Sequence, residues 1–121
     1  MNSSTNWSKV YQLNNENIDK YVKDKSIGNY LLGYKSNQKF MVEYVGRSDT
    51  NLNSRLKDWV DKGYKEFRFL YAKDDVAAYY EECCNFHDFK NDINQNHPAK
   101  PKGNDKVKCP VPYCIDLGFI S

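Results

Sequence analysis

No run of apolar residues in this chain is long enough to span a bilayer, and its start, Met1 to Trp7, lacks the basic stretch and apolar core of a secretion signal. A soluble, cytoplasmic protein is therefore expected. An excess of one charge is missing as well. The 18 Lys and Arg residues stand against 16 Asp and Glu, a net charge of +2, so electrostatics alone does not announce a nucleic-acid binder, and any such role must rest on a site. Cysteine is sparse. Of the four, Cys83 and Cys84 are adjacent on an expected helix, which does not read as a disulfide framework, and reduced thiols are the default. There is no internal repeat and no low-complexity linker. Nor is there a helix-turn-helix, a zinc finger or an obvious recognition helix, so sequence-specific DNA recognition is not implied.

What is present fits one domain: 121 residues, 40% of them apolar, can close around a single modest core. Mean hydropathy is low, −0.87. Ten tyrosines and six phenylalanines supply much of the apolar content, which suits a small mixed fold with amphipathic rings near its surface.

Residues 1–27 read as an N-terminal helical extension, with Ile18, Tyr21 and Val22 at helical spacing after the caps Asn14 and Asn15. Gly28 to Lys35 reads as a strand, Ser36-Asn37-Gln38 as a turn and Lys39 to Gly46 as a second strand, which together make a hairpin. Thr50 to Lys62 places Leu52, Leu56, Trp59 and Val60 on one helical face, with Gly63 where a C-terminal cap belongs. Lys65 to Tyr71 alternates as a third strand, buried mainly on the side of Phe67, Phe69 and Tyr71. A longer helix from Asp75 to Asn91 follows, its apolar face holding Val76, Tyr79, Tyr80, Cys83 and Phe86. From Asp92 onward the chain carries all four prolines, and residues 99–121 read as a tail wrapping the same domain. The expected fold class is α/β (α+β): a small three-stranded antiparallel sheet flanked by helices.

Four groups recur in the order hairpin, helix, strand, helix: Gly28-Asn29-Tyr30, Tyr44-Val45-Gly46, Arg55 and Glu82. As a set they suit phosphodiester hydrolysis. A phenol can position water, a carboxylate can hold a hard divalent cation, and a guanidinium can neutralise charge building on a phosphate. Between the two adjacent glutamates, helical geometry favours Glu82. At about 100° per residue the apolar face centres near Cys83, leaving Glu81 opposite and Glu82 on the border beside Phe86 and Phe89. Arg55 also lies one step off its helix's apolar stripe, where a long side chain can reach the hairpin.

From Gly28 to Pro98 these motifs resemble the GIY-YIG nuclease superfamily, which includes homing endonucleases, certain restriction enzymes and a nuclease domain of bacterial excision repair. The first motif stands as Gly28-Asn29-Tyr30, with asparagine in place of the usual apolar middle residue. The second is Tyr44-Val45-Gly46-Arg47-Ser48, continuing through Leu52 to Arg55-Leu56. The segment Ala78 to His87 is similar to the one that ends in the family's metal-binding glutamate, and Asn96-His97-Pro98 to its closing asparagine motif. Order and spacing carry this resemblance, since no one motif is specific.

The resemblance implies a nuclease domain over residues 28–98 that hydrolyses DNA, with Tyr30, Tyr44, Arg47, Arg55 and Glu82 as catalytic residues and Gly46, His87 and Asn96 in support. A single Mg²⁺ or Mn²⁺ would be held mainly by Glu82 and substrate oxygens. One of Tyr30 and Tyr44 would be the general base or water-positioning group, and Arg47 a further cation near the phosphate. Family members usually join this unit to a separate DNA-binding or oligomerisation domain, for which the chain has no room. A homodimer or a separate DNA-binding partner is the corresponding expectation.

Other readings stand beside this one. A non-catalytic binding module that keeps the fold finds its best support in Asn29. His87 near Cys83 and Cys84, or Cys109 with Cys114, suggests a zinc site, but neither spacing gives a clear second ligand pair, and thiols packed in a core is the reading adopted. Lys100, Lys102, Lys106 and Lys108 suit contact with a DNA backbone as well as a solvated surface.

Overall fold

Two consecutive residues with positive φ, Asn37 at 53° and Gln38 at 66°, link the longest strands of the molecule. That pattern is the tight two-residue hairpin turn whose twist matches the strands it joins. In the computed structural model, which describes residues 7–89 and 97–111, the elements run β1 (Tyr11–Gln12), α1 (Asn15–Tyr21), β2 (Gly28–Ser36), β3 (Lys39–Ser48), α2 (Leu52–Lys57), β4 (Glu66–Tyr71) and α3 (Asp75–Phe89). Asn96 and Cys114, singled out in the sequence, lie outside the described residues.

The sheet has four strands, in the order β1-β4-β2-β3, where the sequence predicts three. Every pairing is antiparallel. The additional strand, β1, pairs Tyr11 with Phe67 and Gln12 with Glu66. Just before it, Ser8 exchanges hydrogen bonds with Phe69 through its amide and hydroxyl, both 2.9 Å, and accepts one from Arg68 Nε at 3.0 Å. Two residues are too few for an alternating pattern to register, so only the backbone bonds reveal this strand. Residues before Gly28 belong to the main core: Leu13, Ile18 and Val22 pack with Leu52, Leu56, Phe67 and Phe69.

Both faces of the sheet are covered. Tyr30 and Leu32 on β2 face α1 and α2 with Phe67 and Phe69 on β4, whereas Leu31 and Val45 pack under Phe86 of α3. A bulge lets β3 serve both layers. Leu32 pairs with Tyr44 but Gly33 pairs with Val42, leaving Glu43 as the extra residue. The bulge shifts the alternation, so that Phe40 and Val42 lie on the same side as Val45. Gly33 is required there, because a Cβ on it would sit 1.9 Å from the Met41 carbonyl oxygen.

Helix ends follow local chemistry. Asn14 Oδ1 caps α1 by accepting from Asn17 N at 2.8 Å, and Asp74 Oδ1 accepts from Ala77 N at 2.8 Å at the start of α3. α2 stops at Lys57, short of the expected Lys62. Trp59 N and Val60 N bond to carbonyls three residues back, at 3.0 and 3.2 Å, and the tightened turn ends at Asp61 with φ 70°. Trp59 and Val60 still pack against the core from that turn. On α3 the buried residues are Ala78, Tyr79, Glu82, Cys83, Asn85 and Phe86, while Tyr80, expected on the apolar face, is exposed. Beyond α3, Cys109, with Val107 and Val111, packs on Tyr79 and Cys83.

Helices α1 and α2 are joined by a buried side chain: Asn53 Nδ2 donates to Val22 O, at the C-cap of α1, at 2.8 Å and lies 3.4 Å from Ile18 O. Replacing Asn53 with alanine removes the donor to Val22 O and should lower stability by about 1–3 kcal/mol in urea unfolding. An unchanged midpoint would mean that the bond contributes nothing to joining the helices.

Candidate active site

β3 is an edge strand, and its last residues serve a cleft of about 310 Å³ that also takes in the start of α2 and the middle of α3. Because side chains alternate along a strand, Tyr44 and Gly46 address the α2 side while Arg47 addresses α3. The five residues singled out as catalytic, Tyr30, Tyr44, Arg47, Arg55 and Glu82, all line this cleft, as does Gly46. His87 is not among the lining residues. Its ring instead lies against Phe86 and His97, with centroids 5.2 and 5.4 Å away.

The strand-to-helix connection positions Arg55. Ser48 Oγ accepts from Asn51 N at 2.9 Å, Asn51 Oδ1 accepts from Ser54 N at 3.2 Å, and Leu52 N donates to Ser26 O at 2.7 Å. α2 therefore begins directly beside the end of β3 and carries Arg55 to the cleft wall. Arg55 is exposed, and its side chain makes no hydrogen bond or ion pair with the other described residues.

Arg47 differs. Its Nη1 donates to Glu82 Oε1 at 2.6 Å, its Nε to Asp49 Oδ1 at 2.7 Å and its Nη2 to Asp49 Oδ2 at 3.3 Å, and its side chain is 10% exposed. A guanidinium held by two carboxylates is committed to the protein, so its charge is largely answered before any phosphate arrives. Sequence reading placed Arg47 beside the phosphate but missed Asp49, two residues along the same motif, which makes it a holder of Glu82. Burial pushes the Glu82 carboxyl above the ordinary carboxylate range, and the neighbouring Arg47 charge pulls in the opposite direction without cancelling it.

Tyr30 and Tyr44 are not equivalent. Tyr30 pairs across the hairpin with Gly46 and its ring lies over that glycine, where a Cβ would come within 2.4 Å of Cζ and 2.5 Å of the hydroxyl. The Tyr30 hydroxyl accepts from Trp59 Nε1 at 2.8 Å and keeps its own proton to donate. Tyr44 is half-buried, its ring tilted against Trp59 at 4.6 Å between centroids. Both phenols hold their protons harder than free tyrosine. Burial is the main cause in each, followed by the neighbouring Tyr44 for Tyr30 and by Glu82 for Tyr44.

Asn29, the departure in the first motif, does not line the cleft. It is fully buried and donates from Nδ2 to Ala78 O at 2.8 Å, tying β2 to α3. The other polar residues lining the cleft are Ser48, the last residue of the second motif, and Asp49 and Thr50, which follow it directly and had not been singled out. With Glu82 they offer only oxygen donors, the set that Mg²⁺ and Mn²⁺ prefer, so the cleft fits the ion implied by the motifs.

The chain matches no family model, no curated protein and no solved structure in comparisons with all three.

Gly46 is sterically closed by the Tyr30 ring. Substitution by alanine must displace the Tyr30 ring, which is 2% exposed and has nowhere to retreat. The expected loss is about 1–3 kcal/mol in urea unfolding. A Gly46→Ala protein as stable as wild type would show that Tyr30 is not seated on this glycine.

Proposed function

We propose that this chain is a divalent-metal-dependent endonuclease of the GIY-YIG type, hydrolysing phosphodiester bonds in DNA. The observation that carries the reading is the convergence of Tyr30, Tyr44, Arg47, Arg55 and Glu82, drawn from two strands and two helices, on one cleft. Its members divide the work according to their surroundings. Arg55, exposed and uncommitted, is the cation available to a scissile phosphate, and it can stabilise the charge that builds on the phosphoryl oxygens. Arg47 holds Glu82 in place through a short bond and acts on the substrate only through it.

A Mg²⁺ or Mn²⁺ ion would be held by Glu82 and substrate oxygens. When bound it supplies Lewis-acid polarisation of the phosphate and lowers the pKa of attached water. Tyr30 and Tyr44 are neutral phenols at physiological pH, with their proton affinity raised by burial. They act as hydrogen-bonding groups that orient the attacking water. Tyr30 is fixed by Trp59, and Tyr44 is the more accessible of the two. Asn29 does not line the cleft, so it gives the non-catalytic alternative no purchase on the reacting groups.

The test is cleavage of supercoiled plasmid and of short branched and single-stranded DNA with Mg²⁺ or Mn²⁺, comparing wild type with Glu82→Ala and Arg55→Ala. Cutting by wild type should fall by about 100-fold or more in each variant, with circular dichroism unchanged. Absence of cutting by folded wild type on every substrate and with either metal would reverse the assignment in favour of a binding module.

A further inference from the structure

Next to Glu82 on α3, the chain gathers a second set of metal-ligating groups, unlike the first. The Cys83 thiol on α3 meets His97 and Cys109 from the segment beyond it, and one ligand atom of each lies within 4.8 Å of the other two. We infer that Cys83, His97 and Cys109 form a structural zinc site that fastens residues 97–111 to α3. This inference is independent of the nuclease reading.

Three observations support it. The first is spacing. With bonds of 2.0–2.3 Å to a tetrahedral zinc ion, neighbouring ligand atoms sit about 3.4–3.8 Å apart, so closing the present triangle takes a contraction of roughly an ångström. The second is the state of the histidine. His97 Nδ1 lies 3.0 Å from Pro98 O, and a carbonyl can only accept, so Nδ1 carries the proton and Nε2 carries the lone pair. A ligating histidine usually has its other ring nitrogen tied to a carbonyl or carboxylate in this way.

The third is charge and burial. Cys83 is fully buried, Cys109 is 5% exposed and His97 is half-buried. Zinc binding would release both thiol protons to solvent, and two thiolates, a neutral imidazole and Zn²⁺ sum to no net charge, which a buried setting accepts. Soft sulfur and nitrogen donors select zinc here over the hard cations that suit the oxygen-lined cleft. The fourth corner of the tetrahedron is filled by water or a further donor.

The site has a structural consequence. Cys83 is next to Glu82, and His97 is two residues from Ala99, which lines the catalytic cleft. A metal clamp would hold the glutamate's helix turn and the tail's part of the cleft wall in one unit. The sequence reading had linked zinc to His87 or to a Cys109 and Cys114 pair, neither of which supplies this triangle.

The experiment uses the full chain purified under reducing conditions. Elemental analysis should find one zinc ion per chain. After chelation, added Co²⁺ should give a thiolate-to-cobalt charge-transfer band, and thermal stability should fall with the metal removed. Cys109→Ser and His97→Ala should lose the zinc, whereas Cys84→Ser, at the neighbouring half-buried thiol, and Glu82→Gln, in the catalytic cleft, should keep it. The cobalt titration of wild type decides the matter even if a ligand variant does not fold. A metal-free protein with no charge-transfer band, a Cys83–Cys109 disulfide by mass, or equal zinc loss in Cys84→Ser would each overturn the assignment.

Discussion

A guanidinium held between two carboxylates connects the sheet to α3 at the cleft. Arg47 reaches from the edge strand to Asp49 on the following turn and to Glu82 on the helix, with its side chain and that of Glu82 each 10% exposed. Such an arrangement is a poor source of net stability, because removing both charges from water costs roughly what their attraction returns. What it supplies is position. Glu82 is locked to the edge strand through one oxygen, and the side chain presented to the cleft cannot swing without breaking a 2.6 Å bond. Asp49 takes the other two guanidinium nitrogens, so Arg47 is itself held and does not drift toward solvent or substrate.

The edge strand makes this arrangement compatible with a second layer. An alternating strand offers each face every other residue, whereas the cleft gathers groups from both faces. Placing the cleft at the lip of β3 solves the problem. Gly46 removes the side chain that would block Tyr30, and the bulge at Glu43 keeps the apolar residues before it under α3. The same device that reads as irregular pairing therefore serves the core and leaves the final residues of the strand free to line the cleft.

Much of this was legible in the residues. Strong alternation and turn chemistry located the hairpin, and helical periodicity put Arg55 and Glu82 on the borders of their apolar faces, where the structure has them lining the cleft. Local sequence does not encode the partners chosen across space. Nothing in the second motif indicates that Arg47 will be shared by Asp49 and Glu82, and β1 is held by backbone bonds to β4 that leave no pattern in two residues. Tyr80 shows the opposite failure. Periodicity assigned it to the buried face because tyrosine counts as apolar, but the ring sits at the rim and is 39% exposed. Cys83 and Cys109 were read as packed thiols, and their convergence with His97 depends on the path of the tail, which no spacing rule supplies.

The two candidate metal centres are separated by chemistry as well as by position. The cleft offers oxygen donors near an exposed arginine, a setting suited to a hard cation. The Cys83, His97 and Cys109 cluster offers sulfur and nitrogen in a largely buried setting, suited to an ion that stays. Adjacent residues, Glu82 and Cys83, face the two in turn because one helical step of about 100° carries the chain from the border of the face to its centre. That single step lets α3 serve both, with Glu82 lining the cleft and Cys83 among the ligands proposed to fasten the helix.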